Sequence, residues 1–313
     1  MNHEEMLDAA ESVLKTAGFK ISRQCNSRLS CFGIVARKES DLTFIKVLSD
    51  IGKISLRDAL ELQTISSRLS AMPLLIGDKS REKPLEDDTV YTRYSIYAVT
   101  VKTLEDVVSK RMFPLVEAGP GGYYVRLNGE LIRNRRMKLG LSIGKLAEEM
   151  RVSRRTLYGY ERGMAKASVS AAFNLEWILG IPLVEPIDIL KPVPSEAGFF
   201  GKAKRLIVRN RFLQIVLRRL VHCNFNVSAT TRAPFDFIAR SPNADVNILG
   251  GVTRHGERNI DQRAQEIVSI SDVVNAQPLF ITDGKLVPIG EIPTIHSQEF
   301  EKIQLAEDLI SKL

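Results

Sequence analysis

Thiols and imidazoles are scarce in this chain. Cys25, Cys31 and Cys223 are its three cysteines, and four histidines are scattered through 313 residues. That usage excludes a disulfide framework and fits a reducing compartment. His222 stands beside Cys223, but no second pair lies at ligand spacing, so no metal or other cofactor is expected. Long apolar runs are missing as well, which excludes a transmembrane helix. The opening Met-Asn-His-Glu-Glu-Met-Leu-Asp lacks a basic stretch followed by an apolar one. A secretory signal is therefore not expected, and the expected location is cytoplasmic.

What is present is an ordinary globular composition with one uneven feature. The apolar share of 44% suits packed cores and leaves little room for long disorder. The length suits two or three domains. The net charge is +7, and it is not spread evenly. Residues 125–166 hold eleven Lys/Arg and four Asp/Glu, while the remainder holds 33 of each sign. A basic excess confined to one segment is the electrostatic footprint of phosphate binding. The plainer alternative is a solvated helix face.

That segment reads as a set of short helices. The first runs from about Asn128 to Leu139, with Leu131, Ile132 and Leu139 inward and Arg133, Arg135 and Lys138 outward. Gly140 ends it, as a residue tolerant of positive φ does. Ser142 caps a second helix carrying Leu146 and the small Ala147, and Met150-Arg151-Val152 makes a turn with Val152 buried. Ser153 caps a third helix, on which Leu157 and Tyr160 face the core while Arg154, Arg155, Tyr158 and Gly159 face away. Gly163 stops it. A further helix from Ser168 to Leu179 brings Phe173, Leu175, Trp177, Ile178 and Leu179 to the core, and Gly180 ends it.

This stretch resembles the helix-turn-helix of the phage Cro and repressor family over roughly residues 128–190. Arg136, Gly140, Leu146-Ala147, Val152-Ser153 and Tyr160-Glu161-Arg162-Gly163 carry the match. The resemblance implies that Arg136 pairs with Glu161 beneath the DNA face. Two positions depart from the family: Ile143 stands where Gln is usual, and Arg151 stands where Gly is frequent in the turn. Arginine at positive φ is strained by roughly 1–2 kcal/mol.

By that resemblance the third helix, 153–162, enters the major groove. Arginine forks onto the O6 and N7 of guanine, worth about 1–3 kcal/mol of discrimination. Arg154 and Arg155 are the candidate base readers, and the alternative is a pair of phosphate clamps. Thr156 meets a thymine methyl or a phosphate, and Gly159 permits close backbone approach. Ser153 and Tyr158 complete the DNA-facing set. Arg133, Lys145, Arg162 and Lys166 are candidates for phosphates, which position without specifying.

The segments on either side resemble each other. Cys31-Phe32-Gly33-Ile34-Val35-Ala36-Arg37 matches Pro234-Phe235-Asp236-Phe237-Ile238-Ala239-Arg240. Ala71-Met72-Pro73-Leu74-Leu75-Ile76-Gly77-Asp78 matches Ala276-Gln277-Pro278-Leu279-Phe280-Ile281-Thr282-Asp283. Each unit reads helix, three strands, helix, strand, strand, helix, which points to an internal duplication. Two unrelated α/β domains are the alternative. The order looks like the restriction-endonuclease and Holliday-junction-resolvase fold, in which an Asp and an acidic-x-Lys hold Mg²⁺ and support the attacking water. The first unit has Gly33 and Phe44-Ile45-Lys46, so it keeps only the lysine. The last has Asp236 opposite Ile248-Leu249-Gly250, so it keeps only one acid. Both read as relics without nuclease activity.

The fold class expected is α+β and multidomain: a central all-α Cro-like helix-turn-helix flanked by two duplicated α/β domains resembling an inactive restriction-endonuclease or resolvase fold. The domains are 1–113, 120–190 and 200–313. Residues 119–122, Gly-Pro-Gly-Gly, read as one hinge and residues 191–198 as another. Lys202 to Arg219 reads as a basic amphipathic helix opening the last unit with a solvated face; the alternative is a place on DNA beside the module. The layout resembles a family of archaeal HTH-type transcriptional regulators. The expected function is therefore a sequence-specific regulator binding double-stranded DNA, associated with the nucleoid, as a homodimer. A small-molecule effector is left unknown. The competing readings are a DNA-processing enzyme of the nuclease or resolvase type and a bridging coactivator.

Overall fold

The computed structural model describes residues 2–191, 210–243, 246–253, 259–283 and 292–313. α1 (His3–Thr16) starts where Asn2 and Glu5 close a capping box, and it lays Met6, Leu7, Ala10 and Leu14 on one face. β1 (Lys20–Ile21), β2 (Ile34–Lys38) and β3 (Asp41–Asp50) follow as antiparallel neighbours. β3 is buried over most of its length, as a central strand is. α2 (Leu56–Arg68), capped by Ser55, crosses over to β4 (Met72–Ser80), which runs parallel to β3. β5 (Lys83–Pro84) folds back on β4, and β6 (Thr89–Arg93) pairs with β7 (Ile96–Val99). β7 lies parallel to β4 on its other side, and α3 (Val101–Lys110) follows it.

The sequence predicts a hinge at residues 119–122, and the structure corrects this. Those residues close the tight turn between β8 (Val116–Gly119) and β9 (Gly122–Leu127). Pro120 presets the turn, and Gly121 and Gly122 take φ of 86° and 150°. β8 pairs with β6, so the first sheet runs unbroken into the strand that carries the helices. These are α4 (Gly129–Lys138), α5 (Ile143–Glu149) and α6 (Arg154–Glu161). β10 (Ala167–Ser168), α7 (Val169–Leu179) and β11 (Val184–Glu185) complete the module, with β10 and β11 both pairing with β9. Ile187 and Ile189 then return to the core beneath α1 and β3.

The second sheet begins after α8 (Arg211–His222), whose amphipathic face buries Phe212, Leu213, Val216 and Leu220. Residues 202–209 of the basic helix predicted from sequence lie outside the described residues. β12 (Asn226–Ala229), β13 (Phe237–Arg240) and β14 (Asn247–Thr253) precede α9 (Ile260–Val274). β15 (Gln277–Thr282), β16 (Thr294–His296), α10 (Ser297–Phe300) and α11 (Ala306–Ile310) follow. The order β12-β13-β14-β15-β16 repeats β1-β2-β3-β4-β7, with two antiparallel and then two parallel pairings in each.

The two sheets share one core. Phe32, Phe44, Leu62 and Ile65 from the first half pack with Phe235, Ile238, Ile267 and Ile270 from the last. Two buried carboxylates brace this contact reciprocally. Glu61 on α2 accepts from the backbone N–H groups of Thr231 and Arg232 and from the Thr231 hydroxyl. Glu266 on α9 accepts from the backbone N–H groups of Asn26 and Ser27 at 2.9 and 2.7 Å and from the Ser27 hydroxyl. Each half thus holds a loop of the other, with charge-assisted bonds that a buried carboxylate requires.

Candidate nucleic-acid interface

The helix-turn-helix is built on two serine caps. Ser142 Oγ accepts from the Lys145 N–H at 3.1 Å, and Ser153 Oγ accepts from the Thr156 N–H at 3.0 Å. Leu146, Ala147, Met150, Leu157 and Tyr160 pack with Val125, Ile132, Leu175 and Leu179 behind them. Arg151 takes φ 54° in the turn, the left-handed conformation that glycine usually fills. Gly129, which the sequence reading passed over, lets the start of α4 touch the end of α6. A Cβ there would meet the Glu161 carbonyl oxygen at 2.5 Å.

An ion pair ties the first helix to the third. Arg136 Nε and Nη2 fork onto the two Glu161 carboxylate oxygens at 2.5 and 3.1 Å, and Nη1 donates to the Leu141 carbonyl at 2.9 Å. The two side chains are 9% and 5% exposed. The Glu161 carboxylate beside it holds the Arg136 guanidinium above its usual pKa, so the charge is permanent.

Ser153, Arg154, Arg155 and Tyr158 are exposed on the outer side of α6, with Thr156 and Gly159 half-buried among them. The Arg154 guanidinium lies over Gly144, 3.1–3.2 Å from where a Cβ would stand, so the absence of a side chain there seats it. Arg162 is exposed and stacks on the Tyr158 ring at 5.4 Å. Arg133 and Lys145 are exposed, the latter 3.5 Å from Glu148. Lys166 is half-exposed but paired: its Nζ lies 2.8 Å from Glu117 on β8. Glu117 also receives Arg126 at 3.3 Å, and Arg126 donates to the Tyr97 hydroxyl at 2.7 Å. This network fastens the module to the first sheet.

Several predicted core positions face outward instead. Leu131 and Leu139 are 40% and 44% exposed, and Val152 is half-buried. On α7, Val169, Phe173 and Trp177 are 45%, 69% and 80% exposed. Their spacing of four puts them on one stripe, and Ala172, Leu175 and Leu179 form the buried face. Of the α7 residues expected in the core, Leu175 and Leu179 are buried and Ile178 is partly buried, whereas Phe173 and Trp177 face outward.

The sheet ends at Gly33 and Asp236 differ in detail. Gly33 N–H donates to the Ile45 carbonyl, and Asp236 N–H donates to the Gly250 carbonyl. The residues opposite Asp236 are therefore Leu249-Gly250-Gly251, one place further than Ile248-Leu249-Gly250 predicted from sequence. Lys46 donates to the Ser30 carbonyl at 2.7 Å. Asp236 receives Arg28 at 2.7 Å, the Val252 N–H at 2.7 Å and the buried Arg263 guanidinium.

Comparison with known proteins fits this geometry. Residues 3–114 match the PD-(D/E)XK superfamily domain, and residues 132–185 match the helix-turn-helix. A protein of Methanococcoides burtonii is 36% identical over 274 residues, 87% of this chain and 84% of its own length. Proteins of Thermococcus kodakarensis and Pyrococcus furiosus are 34% and 32% identical over 311 residues, covering 99% of this chain and 95% and 97% of their own lengths. The names of all three class them as HTH-type transcriptional regulatory proteins. The chain belongs to this family.

A PD-(D/E)XK domain implies a divalent metal, and the residues of this HTH-type regulatory protein do not fit one. The first cleft has no carboxylate at either metal position. In the second, the guanidiniums of Arg28 and Arg263 supply the positive charge that Asp236 would otherwise take from a metal. Among the described residues no group of three His, Cys, Asp or Glu is placed to hold a metal ion. Nor is any described helix long and apolar enough to cross a membrane.

Proposed function

We propose that this protein is a sequence-specific transcription regulator that reads duplex DNA by placing α6 in the major groove. The observation that carries the reading is the exposed Ser153-Arg154-Arg155 tip on a helix clamped from behind by the buried Arg136–Glu161 fork. Arg154 and Arg155 read base edges, with Thr156, Tyr158 and Gly159 against the same groove wall. Ser153, Lys145, Arg133 and Arg162 lie on phosphates, and Lys166 reaches one on leaving Glu117. The protein acts in the cytoplasm on the nucleoid and is not an enzyme. Its units are residues 1–113, 120–190 and 200–313, and the repeated sheet order supports an origin of the outer two by duplication of one nuclease-like ancestor.

It binds as a homodimer. One reading helix covers half a site, and two copies lie about 34 Å apart on a symmetric operator. The Val169-Phe173-Trp177 stripe is the apolar surface on the same module that a second copy would cover.

Selection from a random duplex pool, followed by binding titrations, tests this. Arg154→Ala and Arg155→Ala will relax base preference, while Lys145→Ala will weaken all sequences alike and lower the salt slope by about one. Equal loss on every sequence for all three variants would reduce the arginines to phosphate clamps. The PD-(D/E)XK match favours a nuclease as the second reading. Mg²⁺-dependent cleavage lost in Asp236→Ala would establish it.

A further inference from the structure

The cleft of the first α/β unit is open where that of the second is filled. In the second, Arg263 is 1% exposed and donates to the Pro234 carbonyl as well as to Asp236. At Gly33, the counterpart of Asp236, the first unit has a cavity of about 440 Å³ that Ser30 also lines. That volume lies in the range of small-molecule sites. Lys46, Arg28 and His3 line it, with Leu7, Phe32 and Val47 as an apolar wall, and none of the described residues lining it is acidic. Arg28 is paired to Asp236, whereas Lys46 spends one of its three donors on the Ser30 carbonyl and makes no ion pair among the described residues.

The sign of the cleft is therefore inverted. Two carboxylates and a lysine carry a net negative charge and accept a phosphate only through a divalent cation. Lysine without the carboxylates attracts a phosphate directly. We infer that this cavity is a metal-independent binding site for a small phosphate ester of mononucleotide size, with Lys46 on the phosphate and Leu7, Phe32 and Val47 against its apolar part. The inference does not rest on the regulator reading, and its test uses no DNA.

The test is calorimetric titration of the full chain in EDTA with inorganic phosphate, a nucleoside 5′-monophosphate and the matching nucleoside. The nucleotide is expected to bind saturably, phosphate to compete with it, and the nucleoside to bind at least tenfold more weakly. Lys46→Met will weaken nucleotide binding about tenfold. Gly33→Asp restores one carboxylate without crowding, because a Cβ there meets only Leu7 Cδ1 at 3.6 Å and the Ile45 carbonyl at 3.8 Å. It will abolish binding in EDTA while leaving the melting temperature in place. Absence of saturable binding, binding that requires Mg²⁺, or binding indifferent to Gly33→Asp would each overturn the proposal. So would binding that survives Lys46→Met and disappears in Arg155→Ala, which places the anion on α6.

Discussion

Replacing Glu161 by glutamine isolates the clamp behind the reading helix. The fork from Arg136 is desolvated, with side chains 9% and 5% exposed, so removing one charge strands the other in a site that water barely reaches. Breaking such a pair costs about 3–5 kcal/mol, and glutamine, which keeps one acceptor oxygen, falls at the lower end. A module of about 60 residues has roughly 3–9 kcal/mol of stability in all. The loss therefore brings local unfolding close to the native level without touching the two α/β cores, which are packed from other side chains. In hydrogen exchange followed by mass spectrometry, amides of α4 and α6 will lose about a hundredfold of protection, while those of β3, β4 and α2 keep theirs. A loss under about fivefold would mean the pair is worth no more than a surface contact. A uniform loss throughout the molecule would mean the module does not open on its own. Arg136→Met together with Glu161→Leu will recover most of the protection, because the pair is then replaced by apolar packing.

Three further perturbations separate the remaining claims. Trp177 is the only tryptophan and is 80% exposed, so its emission will shift to the blue with rising protein concentration if α7 pairs two copies. Phe173→Glu will abolish the shift and the sedimentation of a dimer, whereas a dimer persisting in Phe173→Glu would move the interface elsewhere. Glu266→Ala leaves the Asn26 and Ser27 N–H groups without their acceptor, at about 1–3 kcal/mol each, and will lower the apparent melting temperature by several degrees. Glu61→Ala will act alike, and a change under one degree in both would show that the exchange is not a brace. Burial pushes the Cys25 and Cys31 thiols well above the usual thiol range. Their contribution to stability is complete below the unfolded thiol pKa of about 8.5 and is lost as pH rises from there toward the folded values. Urea midpoints will fall between pH 7.5 and 9.5, and an identical fall in the Cys25→Ala, Cys31→Ala double variant would assign it to other groups.

Local signals were legible in the sequence and non-local ones were not. The caps at Ser142 and Ser153, the helix-ending glycines at 140, 163 and 180, and the Leu146–Leu157 core follow from residue type and short spacing. The turn at residues 119–122 did not, because Pro-Gly reads equally as linker and hairpin until β8 is seen against β6, which lies beyond α3 in sequence. The stripe of Val169, Phe173 and Trp177 has the periodicity of a core face, and periodicity does not say which face is covered. Gly129 and Gly144 look like ordinary helix glycines; only the approach of Glu161 and Arg154 shows why they lack side chains. Glu61 and Glu266 look like solvated helix acids and are 4% and 1% exposed.

Those two glutamates tie each of the two similarly ordered sheets to a loop of the other half. In each half a loop leads into the second strand of its sheet, β2 in the first and β13 in the last. Here each such loop is held by the helix of the opposite unit, through Glu266 on residues 26–27 and Glu61 on residues 231–232. Arg28, on the first of these loops, reaches across to Asp236 at 2.7 Å. A carboxylate committed to two guanidiniums and the Val252 N–H has little capacity left for a metal, so the surviving acid serves the joint between the units. The first unit faces no such demand at Gly33, because no described residue from the other half reaches within 4 Å of a Cβ built there.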